Sequence, residues 1–309
     1  MSDTRDLERV ITAAWEDRAL ATAPDARRAV EATIDLLDRG KIRVAEPRGA
    51  AAAGLEAASS AGAPRGAVAG GASAWVVHGW MQMAILLYFA QREAVVSEAG
   101  PLAFRDKLPV KRDLERAQVR VVPPGTARYG SFLAPGVVLM PGYVNIGAYV
   151  GAGTMIDTWA TVGSCAQIGS GVHLSGGVGV GGVLEPPQSQ PVIVEDGAFV
   201  GSRCILVEGV HVERGAALGA GCVLTASTPV VDVRGPEPVV ERGRIPAGCV
   251  AIPGVWPKRF PAGEFATPCV LVIGKRGEST ARKTRLNEML REFPLLDGPG
   301  EEGPRPGSA

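Results

Sequence analysis

The chain has 309 residues, which is enough for a substantial core and about two domains. Apolar residues make up 46% of the chain, and this excludes a protein that is disordered throughout. Lysine plus arginine and aspartate plus glutamate both total 32. The net charge is therefore zero, and composition gives no sign of a nucleic-acid or membrane partner.

Cysteine usage and the amino terminus both indicate a cytoplasmic protein. The five cysteines are odd in number and include no CxxC pair, which argues against disulfides or a thiolate zinc site. The opening sequence MSDTRDLERV lacks the apolar stretch of a signal peptide. The most apolar segment, residues 75–90, is shorter than the ~20 residues that a membrane span needs.

The first part of the chain is predicted to be helical. Apolar residues recur at helical spacing over residues 2–18, from about 25 to 39, and over 75–92. Gly40 is the expected stop of the second helix. Residues 46–74 consist almost entirely of Ala, Gly, Ser and Pro, and they are predicted to form a flexible insertion.

The centre of the chain repeats every six residues. From Phe132 to Val180 every sixth residue is apolar, and after a two-residue slip across LEPPQSQP the pattern resumes from Val194 to Leu224. A period of six matches neither an α-helix nor an alternating strand. It is typical of a solenoid in which each unit is one short strand and a corner, and three units close a coil.

This repeat predicts a parallel β-helix of about five coils with the repeating apolar residues inside. A β-sandwich with fortuitous periodicity is the weaker alternative, because sandwich strands do not keep a fixed phase over so long a stretch. The predicted segments are an N-terminal helical domain, a β-helix, a small C-terminal β/α region and a disordered tail, at 1–118, 119–232, 233–297 and 298–309. The expected fold class is mainly β.

The residues between the repeat positions resemble a known family. The stretch 140–203, which contains MIDTWATVGSCAQIG, closely resembles tetrahydrodipicolinate N-succinyltransferases. The likeness extends to KIRVAE at 41–46, VRVVPP at 119–124 and IPAG at 245–248. The resemblance implies a left-handed β-helix, a hand that the period alone does not give.

The resemblance also implies an activity. That family transfers a succinyl group from succinyl-CoA to the nitrogen of tetrahydrodipicolinate, giving N-succinyl-2-amino-6-oxopimelate and CoA in the diaminopimelate route to lysine. It implies a homotrimer with active sites between subunits, succinyl-CoA as co-substrate, no permanently bound cofactor and no metal. The alternatives are the same fold with acetyl-CoA or a related amino-acid acceptor, or a non-catalytic trimeric solenoid.

Five residues are candidates for catalysis and substrate binding. Asp157, in MIDTWA, matches the family's functional aspartate and is expected to orient the amine and accept its proton. The alternative is an aspartate that caps a corner. Arg120 matches the family's substrate-binding arginine, and Arg203 is a second candidate for holding a carboxylate. Ser164 and Glu185 lie in matching segments and could line the cleft or serve the fold.

The coenzyme is expected to lie along the C-terminal coils. Small residues there permit its pantetheine arm to approach the backbone closely, and the candidates are Ala217, Gly219 and Ala220. Lys258 and Lys275 are candidates for its phosphates, although basic residues are more commonly part of a solvated surface.

One position departs from the family pattern. Many members read GARSEVVEG where this chain reads GSRCILVEG (201–209), so the family's glutamate falls on Ile205. Isoleucine exchanges no proton. Either the glutamate is not essential, or Glu208, Glu185 or Asp157 takes its role, or the acyl donor differs.

The three histidines are His78, His173 and His211, and each is predicted to be mainly structural. None of them forms a close pair in sequence, which argues against a zinc site of the γ-carbonic anhydrase kind.

Overall fold

A computed structural model describes residues 4–48 and 75–277. The predicted α part of the C-terminal β/α region, whose sequence STARKTRLNEMLREF spans 279–293, lies outside the described residues, as do the tail from residue 298 and most of the 46–74 insertion.

An N-terminal unit contains three helices and two small antiparallel sheets. Its elements are α1 (Thr4–Glu16), α2 (Pro24–Asp38), β1 (Ala45–Pro47), β2 (Trp75–Val77), α3 (Gly79–Ala90), β3 (Val95–Ala99) and β4 (Leu102–Asp106). The prediction of one helix over 75–92 is wrong at its start, because Trp75–Val77 pairs with β1 as a strand. Apolar faces of the three helices share one core, in which Ile11, Ile34 and Ile85 are fully buried.

The second helix ends at the predicted glycine. Gly40 has a φ of +64° and donates to the carbonyl oxygen of Leu37 at 3.0 Å. Lys41 donates to the carbonyl oxygen of Leu36 at 2.9 Å. These two bonds form a Schellman motif, in which glycine supplies the left-handed residue without steric cost.

The centre of the chain is a stack of two-residue strands, followed by five strands of the C-terminal region. The stacked strands are β5 (Arg120–Val121), β6 (Thr126–Ala127), β7 (Phe132–Leu133), β8 (Val138–Leu139), β9 (Tyr143–Val144), β10 (Tyr149–Val150), β11 (Met155–Ile156), β12 (Thr161–Val162), β13 (Gln167–Ile168), β14 (His173–Leu174), β15 (Gly179–Val180), β16 (Ile193–Val194), β17 (Phe199–Val200), β18 (Ile205–Leu206), β19 (His211–Val212), β20 (Ala217–Leu218) and β21 (Val223–Leu224). The later strands are β22 (Pro229–Asp232), β23 (Val239–Arg242), β24 (Arg244–Ile245), β25 (Cys249–Phe260) and β26 (Gly263–Lys275).

These strands form three sheets that are the walls of a left-handed parallel β-helix, which confirms the predicted fold class. Sheet A has ten strands and contains β5, β8, β11, β14, β17, β20 and β25. Sheet B runs from β6 to β21, and sheet C runs from β7 to β24, with six strands each. The chain turns from A to B and from B to C at what we term the A–B and B–C corners, for example 157–160 and 163–166.

The interior is the predicted aliphatic column, with one correction. Ile156 stacks between Leu139 and Leu174 on the neighbouring coils. The first two predicted inward residues, Phe132 and Val138, face outward instead, and the residue after each faces inward. The phase changes because the corner between β8 and β9 has three residues, 140–142, whereas the corner after β11 has four.

The two-residue slip in the sequence repeat corresponds to one long corner in the structure. Val180 and Val194 occupy consecutive strands but are fourteen residues apart, so eight residues are added to the usual six. The stacking of the sheets is not interrupted, because β15 still pairs with β18 and β16 with β19. We term residues 181–192 the extended corner.

The C-terminal region completes the solenoid and extends it. β24 pairs in parallel with β19, so residues beyond the predicted boundary at 232 close the last coil. β25 and β26 form a long antiparallel hairpin that continues sheet A. In the part of the chain that the structure describes, this region contains strands and no helix. None of the described helices has the length and apolar character to cross a membrane.

Candidate active site

Asp157 lies on the A–B corner directly after β11, and its two carboxylate oxygens have different surroundings. Oδ1 accepts hydrogen bonds from the backbone N–H of Thr158 at 2.7 Å and from its hydroxyl at 3.2 Å. Oδ2 lies 3.9 Å from Nε2 of His173. One oxygen therefore caps the corner, and the other is available for chemistry beside an imidazole.

His173 is brought to Asp157 by the coil register. It lies on β14, the strand that stacks on β11, with Met155 as its register partner. Its ring stacks on Phe199 of the next coil, with centroids 5.3 Å apart and planes inclined by 20°. The spacing of eighteen residues between Ile156 and Leu174, three repeat units, was the sequence signal for this neighbourhood.

Arg203 lies on the same corner, two coils after Asp157. Its φ of +62° is in the left-handed region, which is uncommon for a residue with a long side chain. Its side chain lies across Gly177, where an added Cβ would come within 2.9 Å of Cδ of the arginine. Among the described residues its guanidinium has no ion-pair partner, so it is available to a carboxylate.

Arg120 lies on the outer face of sheet A, on β5. Register places Arg120, Val138, Met155 and His173 in one column on successive coils. With strands ~4.8 Å apart, the backbone of Arg120 is about 10 Å from that of Met155. Asp157 and Arg203 thus lie on the A–B corner, and Arg120 lies on the adjoining outer face of sheet A, two coils before Asp157.

Ser164 and Glu185 lie elsewhere. Ser164 is on the B–C corner and only 5% exposed, and its carbonyl oxygen accepts a bond from the N–H of Val183 at 3.1 Å. Glu185 is exposed on the extended corner, before a cis peptide bond to Pro186. Within one chain, sheet B separates these two residues from Asp157.

Ile205, the position that departs from the family pattern, lies on sheet B, between the A–B corner and the B–C corner. Ile205 is on the outer face of β18 in sheet B, is 37% exposed, and packs over Gly179. Glu208, one candidate to replace the family's glutamate, accepts a hydrogen bond from the N–H of Ala226 at 3.1 Å. Its carboxylate therefore supports a corner of the next coil.

The candidate coenzyme residues are only partly brought together. Gly219 and Ala220 follow β20 on the A–B corner, next to the coil that carries Arg203. Ala217 is 4% exposed, because Val250 and Ile273 pack against it. Lys258 and Lys275 are at opposite ends of the β25–β26 hairpin. Nine residues of extended strand separate Lys258 from the partner of Lys275, about 30 Å, so they do not serve one phosphate in one chain.

The other two histidines each pair with a glutamate. His78 does so within the N-terminal unit, and His211 does so where that unit contacts the solenoid. His78 lies 3.0 Å from Glu46, and His211 lies 2.8 Å from Glu195. Burial alone would raise the pKa of Glu195. Hydrogen bonds from His211, Trp75 and the N–H of Arg214 outweigh burial and lower this pKa to about 2. Within residues 4–48 and 75–277, no three His, Cys, Asp or Glu side chains are grouped to hold a metal ion.

Comparison with known proteins decides the family. The family model described as "Tetrahydrodipicolinate N-succinyltransferase N-terminal" matches residues 6–90, and "Hexapeptide repeat of succinyl-transferase" matches residues 191–226. A 2,3,4,5-tetrahydropyridine-2,6-dicarboxylate N-succinyltransferase of Variovorax paradoxus is 44% identical over 94% of this chain and 100% of that relative. The chain belongs to the tetrahydrodipicolinate N-succinyltransferase family.

Other relatives of the same name support this assignment to the succinyltransferase family. The protein of Albidiferax ferrireducens is 45% identical over 94% of this chain and 100% of its own length. The protein of Bordetella pertussis is 44% identical over 93% of this chain and 99% of its own length. The resemblance seen in the repeat region is confirmed, and helices α1 to α3, which carried no motif, are part of the same family pattern.

Proposed function

We propose that this chain transfers a succinyl group from succinyl-CoA to the nitrogen of tetrahydrodipicolinate, giving N-succinyl-2-amino-6-oxopimelate and CoA in lysine biosynthesis. The observation that carries the proposal is similarity over 94% of the chain to relatives named for this reaction. The chain is thus an N-acyltransferase rather than a non-catalytic solenoid. Its cytoplasmic location stays a prediction.

The A–B corner offers the groups that the reaction needs. After water opens the cyclic imine, the amine nitrogen attacks the thioester carbonyl carbon, a C–N bond forms and the C–S bond breaks. The nitrogen loses a proton, and we assign Oδ2 of Asp157 as its acceptor. The CoA thiolate leaves and takes up a proton. Arg120 and Arg203 hold the carboxylates of the substrate.

The candidate residues lie at both edges of sheet B, and this supports an assembly of several copies. Trp159, Ile205 and Val223 expose apolar surface on sheet B and its A–B edge. Asp157 lies at one edge of this sheet, and Ser164 and Glu185 lie at the other. A second copy placed against sheet B would cover the apolar face and bring Asp157 of one copy near Glu185 of the other. We therefore propose a homotrimer with the active site between copies.

The choice of acyl donor is tested by turnover. Initial rates of CoA release are measured with tetrahydrodipicolinate and either succinyl-CoA or acetyl-CoA. A kcat/KM at least tenfold higher with succinyl-CoA is expected. A preference for acetyl-CoA would assign the alternative donor, and inactivity with both donors would refute the proposed reaction.

The shared site is tested by mixing two inactive variants. Asp157→Asn and Glu185→Gln are co-expressed with different tags, and mixed oligomers are purified through both tags. Interfaces that combine the intact Asp157 and the intact Glu185 are expected to recover activity that neither variant has alone. Mixed oligomers without recovery would contradict a site between copies that uses both residues.

A further inference from the structure

The extended corner is the long interruption of an otherwise regular stack. Between β5 and β21 the other corners have three or four residues, whereas this one spans residues 181–192. It contains no helix or strand, so its backbone groups need partners outside a sheet. In solenoids, such insertions are the usual place for binding surfaces.

One side chain of the N-terminal unit supplies these partners. Gln82 on α3 is fully buried. Its Nε2 donates to the carbonyl oxygens of Val183 and Ser189, both at 3.1 Å. Its Oε1 accepts from the N–H of Gln188 at 2.7 Å. Both amide hydrogens and the amide oxygen are therefore used on the extended corner.

The surrounding residues are shaped for this contact. A Cβ at Gly79, one turn before Gln82, would clash with Cγ of Gln188, so glycine allows the corner to lie against α3. Leu184 packs against the apolar core of the N-terminal unit. The middle of the extended corner thus rests on the helical unit. Its ends are tied to neighbouring coils by bonds from Val183 to Ser164 and from Gln190 to Gly209.

We propose that Gln82 is a positioning residue for the acyl-transfer site. Through its amide, the N-terminal helical unit holds the extended corner, and with it Glu185, in the place that substrate binding requires. The inference rests on the proposed function, in which Glu185 lines the cleft. It also gives the helical unit a function: the unit holds in place an active-site segment that has no strand pairing within the solenoid.

The test compares two substitutions of Gln82 with a matched control. Gln82→Met keeps the volume of the side chain but offers nothing to the three backbone groups. Gln82→Lys retains donors for the two carbonyl oxygens and lacks the acceptor for Gln188. Thr33→Val is the control, because Thr33 is also fully buried in the helical unit and, among the described residues, its hydroxyl bonds to the carbonyl oxygen of Ala29 on its own helix.

Three quantities are measured for each variant: kcat and KM with both substrates, the melting temperature, and hydrogen exchange of the Gln188 amide. For Gln82→Met we expect kcat/KM for the amine substrate to fall about tenfold, chiefly through KM, and the Gln188 amide to exchange at least tenfold faster. Gln82→Lys also buries a charge, so it should lose at least as much kcat/KM as Gln82→Met and lower the melting temperature further. Thr33→Val should lower the melting temperature without changing KM.

The following outcomes would contradict either the positioning role of Gln82 or the proposed function. Wild-type kinetics in Gln82→Met with fast exchange at Gln188 would overturn the positioning role. An equal loss of kcat/KM in Thr33→Val would reduce the effect to stability and overturn it too. Inactivity of the wild type would instead refute the proposed function. If Gln82→Met does not fold, Gly79→Ala provides the same test, because its methyl group displaces Gln188.

Discussion

Nε2 of His173 lies 3.9 Å from Oδ2 of Asp157, although the two residues are sixteen positions apart in sequence. The pair spans two adjacent coils, and Phe199 on a third coil supports the imidazole by stacking. The fold therefore sets a carboxylate and an imidazole side by side at the A–B corner. We propose that Oδ2 of Asp157 takes up the proton of the amine and that the neighbouring imidazole stabilises this step.

Replacement of Asp157 by asparagine tests its role as proton acceptor. The asparagine side chain keeps an oxygen for the N–H of Thr158, so the corner stays capped. We expect kcat/KM to fall at least about 100-fold with an unchanged melting temperature, since general-base catalysis contributes about that much. Asp196→Asn is the control, because Asp196 also caps a corner, through the N–H of Ser170, away from Asp157. An active Asp157→Asn enzyme would remove Asp157 from the mechanism.

Replacement of His173 by phenylalanine tests the partner of that carboxylate. Phenylalanine retains a ring to stack on Phe199 but has no nitrogen for Asp157. We expect kcat to fall about tenfold while KM for the coenzyme stays the same. Steady-state kinetics with both substrates measures the two effects separately. A proportional loss in KM for the coenzyme would point to a general disturbance of sheet A instead.

Arg203 is expected to act through charge and geometry. Arg203→Lys keeps the positive charge but loses the two-pronged grip on a carboxylate, and Arg203→Gln loses both. KM for the dicarboxylate substrate should rise about tenfold in the first and about 100-fold in the second. Arg9→Gln is the control, because Arg9 forms an exposed ion pair with Asp6 on α1. Equal KM values in all variants would assign the carboxylate to another cation.

Most of the solenoid can be predicted from the sequence, because a period of six is visible without any tertiary information. The sequence could not place the first two inward positions correctly. Phe132 and Leu133 are both apolar, as are Val138 and Leu139, so hydrophobicity did not tell which residue faces inward. The three-residue corner at 140–142 decides this, and its length is not visible in the repeat.

The candidate site shows the same limit. Residues in neighbouring coils can be paired from an eighteen-residue spacing, and this places Asp157 beside the strand of His173. No period relates α3 to the extended corner, so the contact of Gln82 with Gln188 was not predictable. The face used by the proposed assembly is equally hard to predict, because solvent-facing apolar residues such as Val223 share the repeat pattern of ordinary surface positions.

Val223 provides a test of the proposed assembly. It is 45% exposed on the outer face of sheet B, so glutamate is tolerated there by an isolated chain. In an assembly that covers sheet B, the buried charge should shift the oligomer towards monomers at micromolar concentration. Sedimentation velocity measures this shift. Val96→Glu, on the exposed hairpin of β3 and β4, is the control and should sediment like the wild type. Unchanged association of Val223→Glu would place the interface elsewhere.

Glu195 links β2 of the N-terminal unit to the solenoid, and its lowered pKa makes this contact sensitive to acid. Its pKa of about 2 lies below the usual 4.5, so its contribution is complete above pH 4.5 and is lost as the pH falls towards 2. Glu195→Gln should lower the free energy of unfolding at pH 7, and by progressively less as the pH falls below 4.5. Urea unfolding between pH 3 and 7 measures this difference. Glu241→Gln, in an exposed pair with Arg244, should change stability by less than about 1 kcal/mol at every pH. A loss in Glu195→Gln that stays constant with pH would show that its hydrogen bonds, rather than its charge, hold the two units together.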